Sequence, residues 1–179
     1  MNVLVRSAKK AQAPQLADLL QDYLREFATF ESVDQDESGQ YVYPYLAHYW
    51  EDPNRYPFLF WLDGRLVGFA LLRHNMDPST GRQVMDLAEF FVITDVRRSG
   101  LGQAAAHHLW DLFPGPWTLR VLRSNKNAQP FWRKVISRYT GSRYHEQPPE
   151  GFAGGYYTFT FTSGSDLDLP DDISPDFID

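Results

Sequence analysis

A turn that could hold an anion is the first chemical feature of this sequence. Residues 94–102 read TDVRRSGLG, follow an apolar segment that predicts a strand, and lead into a segment whose Leu and Ala spacing predicts a helix. The first backbone N–H groups of a helix have no partner inside the helix, and the helix dipole adds partial positive charge there. Gly100 and Gly102 lack Cβ, so a phosphate can approach this backbone closely.

Two common phosphate-binding fingerprints do not describe this turn. A Walker A loop needs Gly-Lys followed by Ser or Thr, and the dinucleotide pattern G-x-G-x-x-G fails because position 105 is Ala. On the glycine spacing alone, a tight turn without a ligand is the simpler interpretation.

The elements around the turn predict a mixed α/β domain. Alternating or apolar segments predict strands at residues 2–6, 58–62, 65–73, 84–93, 117–122, 142–146 and 156–162. Helical spacing predicts helices at 9–27, 101–112 and 128–138, the first capped by Ser7, and leaves the aromatic segment 41–50 as helix or turn. The dipeptide Asp63-Gly64 predicts a hairpin between the second and third strands.

Composition narrows the class of protein. The chain has 179 residues, 43% of them hydrophobic and 22% charged, as a single globular domain does. It contains no Cys, which excludes disulfides, thiolate metal ligands and a cysteine nucleophile. No segment reaches the roughly 20 apolar residues of a membrane span, and the N-terminus does not resemble a signal peptide. We therefore expect a cytoplasmic protein without a membrane partner.

The net charge of −6 is concentrated at the C-terminus, where residues 166–179 contain six Asp and no Lys or Arg. We expect a folded domain over residues 1–163 and a solvated acidic tail over 164–179. The alternative is that the apolar residues of the tail dock on the body or on a second subunit. Because the body is formally neutral, the sequence argues against nucleic-acid binding.

Two motifs in register resemble those of the GCN5-related N-acetyltransferase (GNAT) superfamily. Arg97, Gly100 and Gly102 match its pyrophosphate motif Arg/Gln-x-x-Gly-x-Gly/Ala, which follows a strand end, here Val92. Asn125 and the Ala three residues after it match its second motif. The element order over residues 2–162 also resembles that of the family. The resemblance implies a mixed, mostly antiparallel sheet of about seven strands flanked by about four helices, with a splayed strand pair forming an acetyl-CoA cleft.

The resemblance implies acetyl-CoA as cosubstrate. The strand end would bind the pantetheine arm through its backbone, and the amides of the turn would bind the pyrophosphate beside Arg97 and Arg98, which otherwise belong to a solvated turn. Pro130 favours Asn127 as the helix cap and leaves Asn125 free to bind the cofactor. The implied cofactor-binding residues are Phe91, Val92, Ile93, Arg97, Arg98, Ser99, Gly100, Leu101, Gly102, Gln103, Ala104, Asn125, Ala128 and Trp132. Weaker candidates for the ribose phosphate are Arg123, Lys126, Arg133 and Lys134.

Acetyl transfer to an amine requires a base and a donor that polarises the thioester carbonyl. Glu89, three residues before the strand end, is the candidate base, and Asp86 is the second candidate. For each, a structural carboxylate is the alternative. The backbone N–H of Val92 or Ile93 is the candidate donor.

Trp132 stands where many family members have the Tyr that protonates the leaving thiolate, and an indole does not transfer a proton usefully. Tyr139 or Tyr144 could replace it, or the thiolate could leave through water, since a thiol has a pKa near 8.5.

These features predict an N-acetyltransferase that moves an acetyl group directly, in a ternary complex, to a primary amine. The acceptor is left open between a small amine, an aminoglycoside-like polyamine and a peptide N-terminus. The alternative is an acyl-CoA-binding sensor with little turnover. The histidines, including the adjacent His107 and His108, lack metal-ligand spacing, so no metal is expected.

Two sets of aromatic residues can each be interpreted in two ways. The Tyr and Trp residues of segment 41–50 form either packed core or a cation-binding wall for the amine. The face of Tyr157, Phe159 and Phe161 is either core or the seam of a homodimer.

Overall fold

The strands of the chain form one seven-stranded sheet in the order β1-β2-β3-β4-β5-β7-β6. The computed structural model describes residues 3–78, 80–151 and 154–164. The strands are β1 Val3–Ser7, β2 Arg55–Leu62, β3 Arg65–Met76, β4 Gln83–Val92, β5 Gly115–Leu122, β6 His145–Gln147 and β7 Tyr156–Ser163. The helices are α1 Ala13–Phe27, α2 Leu101–Leu112 and α3 Ala128–Thr140. Only the β4–β5 pair is parallel among the strand pairs of these ranges.

This architecture confirms the predicted mixed, mostly antiparallel sheet, with three differences in detail. The described residues form three α-helices rather than about four, because segment 41–50 contains only the 3₁₀ turn Ala47–Trp50. Helix α1 begins at Ala13, with Pro14 in its first turn, and Ser7 ends β1 instead of capping the helix. The sixth strand begins at His145, because α3 ends in left-handed backbone at Gly141 and Ser142.

Each face of the sheet carries its own hydrophobic core. The leucine stripe of α1 packs on one face, against Leu59, Phe69, Leu71 and Phe91. Helices α2 and α3 pack on the other face, where Phe159 and Phe161 are buried. This burial assigns those two aromatics to the core.

A β-bulge in β4 decides where its carboxylates point. Opposite β3, Leu71 pairs with Glu89 but Leu72 pairs with Leu87, so Ala88 is an extra residue. Asp86 and Glu89, three positions apart, would lie on opposite faces of a regular strand. With the bulge, both lie on the face covered by α1, as the alternate β3 residues opposite them do.

Beyond these elements, two findings bear on the sequence predictions. No helix in the described ranges is long and apolar enough to cross a membrane. The predicted acidic tail lies, apart from Gly164, outside the described residues.

Candidate active site

Glu89 lies under helix α1 in a cluster of tyrosines. Tyr23 of α1 donates a hydrogen bond to its Oε2, and Tyr43 of the following loop donates one to its Oε1 at 3.2 Å. Burial raises the pKa of the Glu89 carboxyl above its usual range, although both tyrosine hydrogen bonds oppose the shift. The carboxylate therefore holds a proton more tightly than an exposed glutamate would.

The tyrosines remain neutral donors toward this carboxylate. Burial, and then the charge of Glu89, raises the pKa of both Tyr23 and Tyr43 well above the ordinary phenol value. Tyr49 is buried beside them, and burial raises its pKa as well. The three phenols therefore keep their protons at neutral pH, and the hydrogen bonds of Tyr23 and Tyr43 hold Glu89 in one orientation.

Asp86 has the opposite environment, although it lies on the same strand and face. Only 1% of the residue is exposed, and its Oδ2 accepts from Arg73 Nε at 2.9 Å and Asn75 Nδ2 at 3.0 Å. Arg73 Nη2 lies 2.8 Å from the same oxygen, and Arg120 Nη2 lies 3.6 Å from it. Among the described residues, no Lys or Arg comes within ion-pair distance of Glu89. The structure thus pairs Asp86 with cations and surrounds Glu89 with neutral donors.

The predicted anion turn does enter a helix N-terminus. A 3₁₀ turn at Thr94–Val96 leads to Arg98 and Gly100, both with left-handed backbone at φ +63° and +88°. The N–H of Ala104 donates to Gly100 O at 3.0 Å, which begins α2. The N–H groups of Gly102 and Gln103 precede that bond and therefore face out of the helix end. This is backbone geometry suited to an anion.

Arg97 does not point its guanidinium freely into the turn. Its Nη1 and Nη2 donate to the Glu26 carboxylate of α1 at 3.0 and 2.6 Å, and its Nε donates to Val92 O at 2.7 Å. The guanidinium also stacks over the Phe91 ring at 5.4 Å. Arg97 therefore connects the turn to α1 and to the end of β4, while Arg98 is exposed.

The backbone N–H groups at the end of β4 point in two directions. Ile93 N–H donates to Val67 O at 2.9 Å, so the expectation that it could polarise a thioester does not hold. That bond makes the neighbouring Gly68–Val92 pair a non-hydrogen-bonded pair of the antiparallel ladder. Val92 N–H consequently points away from β3 and toward the β5 side.

Asn125 and Trp132 occupy different surroundings from those expected. Asn127 holds the N-cap position of α3, as expected, but its side chain makes no capping hydrogen bond. The Asn125 Oδ1 instead accepts from Ala128 N–H at 3.1 Å, so the Asn125 side chain is bound to the helix end and is not free. Trp132 is 7% exposed, and its ring packs edge-on against Phe90 at 5.1 Å. Trp132 is a core residue next to the strand end.

The remaining candidates lie in supporting contacts. Leu101 is buried in the core, and Gln103 Oε1 accepts from Arg138 at 2.8 Å. Arg133 is bound to Glu146, with its closest contact at 2.6 Å, and Arg123 donates to the Gly151 carbonyl at 2.8 Å. Ser99 Oγ donates to Val96 O at 2.7 Å. The described residues contain no group of three or more side chains suited to a metal ion.

Sequence reasoning missed the residues that complete the site. Exposed polar residues are common at alternate positions of a strand. The residue types of Arg73, Asn75 and Arg120 therefore do not indicate a functional site. Tyr23 has the helical spacing of the buried leucines of α1, so the sequence predicts it as a packing residue, and its hydrogen bond to Glu89 spans 66 positions. The aromatic segment 41–50, which the sequence left as core or cation-binding wall, supplies Tyr43 and Tyr49 to the Glu89 cluster.

The match to a family model decides the family. Residues 14–136, more than half of the chain, match the model described as the acetyltransferase (GNAT) family. The chain belongs to the GNAT family. It is therefore an N-acetyltransferase by family, and the family uses acetyl-CoA. No curated protein matches the chain.

Solved GNAT structures share the fold at low sequence identity. The ribosomal-protein-S18-alanine N-acetyltransferase from Escherichia coli is 16% identical with a TM-score of 0.60, over 97% of this chain and 99% of that chain. Arabidopsis thaliana Naa50, in complex with a bisubstrate analogue, is 15% identical with a TM-score of 0.59, over 90% of this chain and 99% of that chain. A soil-metagenome aminoglycoside acetyltransferase, in complex with sisomicin, is 14% identical with a TM-score of 0.61, over 84% of this chain and 95% of that chain. At these identities the likeness shows the fold.

Proposed function

We propose that this GNAT protein transfers the acetyl group of acetyl-CoA directly to a primary amine in a ternary complex, with Glu89 as the base. The observation that carries the proposal is the position of Glu89 on β4. The carboxylate is buried among Tyr23 and Tyr43, and the same strand runs on to the end at Val92 and the anion turn. A base with a raised pKa, on the strand that leads to a phosphate-binding turn, is the arrangement that amine acetylation needs.

The proton balance follows from these groups. The ammonium of the acceptor gives one proton to the Glu89 carboxylate, and the free amine nitrogen attacks the thioester carbonyl carbon. The Val92 N–H, which points away from β3, stabilises the oxyanion that forms. As the C–S bond breaks, the second nitrogen proton passes to the thiolate through water, and the products are an amide, CoA and a protonated Glu89.

The cofactor contacts rest on the anion turn and the neighbouring strand end. We propose that the N–H groups of Gly102 and Gln103 bind the pyrophosphate, with the exposed Arg98 beside it. The parallel pairing of β4 with β5 covers Met85–Leu87 and Trp117–Leu119. We propose that the two strands separate beyond these residues and admit the pantetheine arm.

The surroundings of Trp132 bear on the alternative of a sensor without turnover. That alternative depended on Trp132 replacing a catalytic Tyr, but the Trp ring is part of the core against Phe90. Tyr139, one candidate replacement, donates to Asp111 near the far end of α2, about 15 Å along the helix from its N-terminus. Proton transfer to the thiolate through water requires no acidic side chain at position 132. The buried Glu89 therefore favours the enzyme over the sensor.

Calorimetry and turnover test the proposal together. Acetyl-CoA and CoA should bind, whereas ATP should not. Thiol release should then be measured with three classes of acceptor: small amines, aminoglycosides and peptides with an N-terminal alanine. The similar structures include acetyltransferases of the last two kinds. Glu89→Gln should bind acetyl-CoA as the unmodified protein does and lose most turnover. Glu37→Gln, at an exposed carboxylate, is the matched control. Full turnover in Glu89→Gln, or failure to bind either CoA species, would overturn the proposal.

A further inference from the structure

A polar strip crosses the sheet beside Glu89. The register places Arg73 of β3 opposite Asp86 of β4, and Asp86 opposite Thr118 of β5. Side chains directly across from one another share a face, so this strip lies on the face of Glu89. Arg120, two residues beyond Thr118, lies on the same face and is exposed to solvent.

Around Asp86, the strip carries more positive than negative charge. Arg73 binds Asp86 through Nε and Nη2, which leaves its Nη1 directed elsewhere. Arg120 approaches the same carboxylate oxygen only to 3.6 Å, and its side chain is 48% exposed. Its guanidinium lies over the Tyr156 ring, 5.9 Å from the centroid. Two guanidinium groups thus share one buried carboxylate, while Glu89 nearby contributes a negative charge.

Asp86 gives this cluster a fixed shape. Because the carboxylate is buried and also accepts from Asn75, it holds the Arg73 fork in place against the sheet. The Nη1 of a guanidinium held in this way can donate to an oxygen of a carboxylate or phosphate, and Arg120 supplies further donors beside it. The arrangement has a negative end at Glu89 and a positive end at the arginines.

We infer that Arg73 and Arg120 bind an anionic oxygen group, a carboxylate or a phosphate, carried by the amine acceptor. The inference rests on the proposed function and names the class of acceptor for the same site. Glu89 lies opposite Leu71, and Arg73 is two residues further along β3, a distance of about 7 Å. The acceptor is therefore a zwitterion whose amine and anionic group are separated by several atoms.

The test compares acceptors that differ only in charge. The probes are 5-aminopentanoate, its neutral amide and 3-aminopropyl phosphate, each titrated by calorimetry into the protein saturated with CoA. At least one anionic probe should bind about tenfold or more tightly than the amide, as expected for a charge-assisted hydrogen bond. The same preference should appear in acetylation assays as a lower KM at similar kcat.

Two arginine variants distinguish binding of the anionic group at this site from a general effect of the protein's charge. Arg120→Gln leaves the Arg73–Asp86 pair intact, so the variant should fold, and it should lose most of the preference for the anionic probes. Arg6→Gln is the matched control, because Arg6 is exposed on the same face at β1, four strands and about 19 Å from β5. Arg6→Gln should keep the preference.

The outcomes distinguish this inference from the proposed function. Equal binding of the amide and the anions, no binding of any anionic probe, or a preference that survives in Arg120→Gln would overturn the inference, even if amines are acetylated. A preference that depends on Arg120, together with no acetylation of any amine, would support the anion site and overturn the proposed function.

Discussion

Removing the tyrosine hydrogen bonds from Glu89 should shift the acidic limb of the pH–rate profile. A hydrogen bond to a charged group is worth about 1.5–3 kcal/mol, and each 1.4 kcal/mol is about tenfold in an equilibrium. Tyr23→Phe removes the donor of Oε2, so it should raise the proton affinity of Glu89 about 10- to 100-fold. Tyr43→Phe removes a longer bond of 3.2 Å and should have a smaller effect.

The assay is kcat/KM for acetyl transfer measured across the acidic limb in both variants. Because the base must be ionised, a higher pKa moves the limb to higher pH, while the plateau at alkaline pH should change little. Tyr139→Phe is the control, since it removes a 2.6 Å hydrogen bond between a tyrosine and Asp111 away from Glu89. An unmoved limb in Tyr23→Phe, a limb that moves to lower pH, or the same shift in Tyr139→Phe would refute the reasoning.

Three further substitutions test the local physics of the site, each by urea unfolding. Burial raises the pKa of Glu89 in the folded state, so the folded protein binds this proton at a higher pH than the unfolded chain does. Above the folded-state pKa, the buried and ionised carboxylate therefore lowers the free energy of unfolding. Glu89→Gln should therefore increase the free energy of unfolding at pH 8 but not below about pH 4, and equal effects would contradict the burial argument. Arg98→Gly should stabilise the fold by about 1 kcal/mol, because Arg98 has φ +63°, whereas Arg98→Ala, which keeps the Cβ, should give no gain. Gly68→Ala should destabilise it by about 3 kcal/mol, because a Cβ there would overlap the Phe91 carbonyl oxygen, and an unchanged midpoint would contradict the β3–β4 register.

Local features of the sequence predicted the elements of the candidate site that are contiguous in the chain. The strand that carries Glu89, the turn and helix α2 follow one another within residues 83–112, so apolar spacing and two glycines were enough to locate them. Asn127 holds the N-cap position of α3, as predicted, but the side-chain hydrogen bond to the helix end comes from Asn125. Pro130 pointed to Asn127, but an Asn that accepts from the N–H three residues later is itself a local capping signal, and Asn125 fits it.

The contacts that tune Glu89 are not local, and no periodicity reveals them. Tyr23 and Tyr43 lie 66 and 46 positions from Glu89 in the chain. Helix α1 reaches the sheet through its leucine stripe, and only that packing brings Tyr23 to the carboxylate. Likewise, nothing in the letters around Ala88 marks a bulge, because a bulge is a property of the pairing between two strands.

The two carboxylates of β4 lie on one face of the sheet but in different environments. Asp86 is buried against Arg73, and a buried charge is tolerated when it is paired and hydrogen-bonded. Glu89 is buried against neutral phenols, so its charged form is less favoured and its proton affinity is higher. Environments that differ in this way support the proposal that Glu89 is the base and that Asp86 is a structural anion. Because the bulge at Ala88 places both side chains on one face, the proposed base Glu89 and the arginines bound to Asp86 lie on the same face, and the strand rise between them sets the length of the zwitterionic acceptor that we infer.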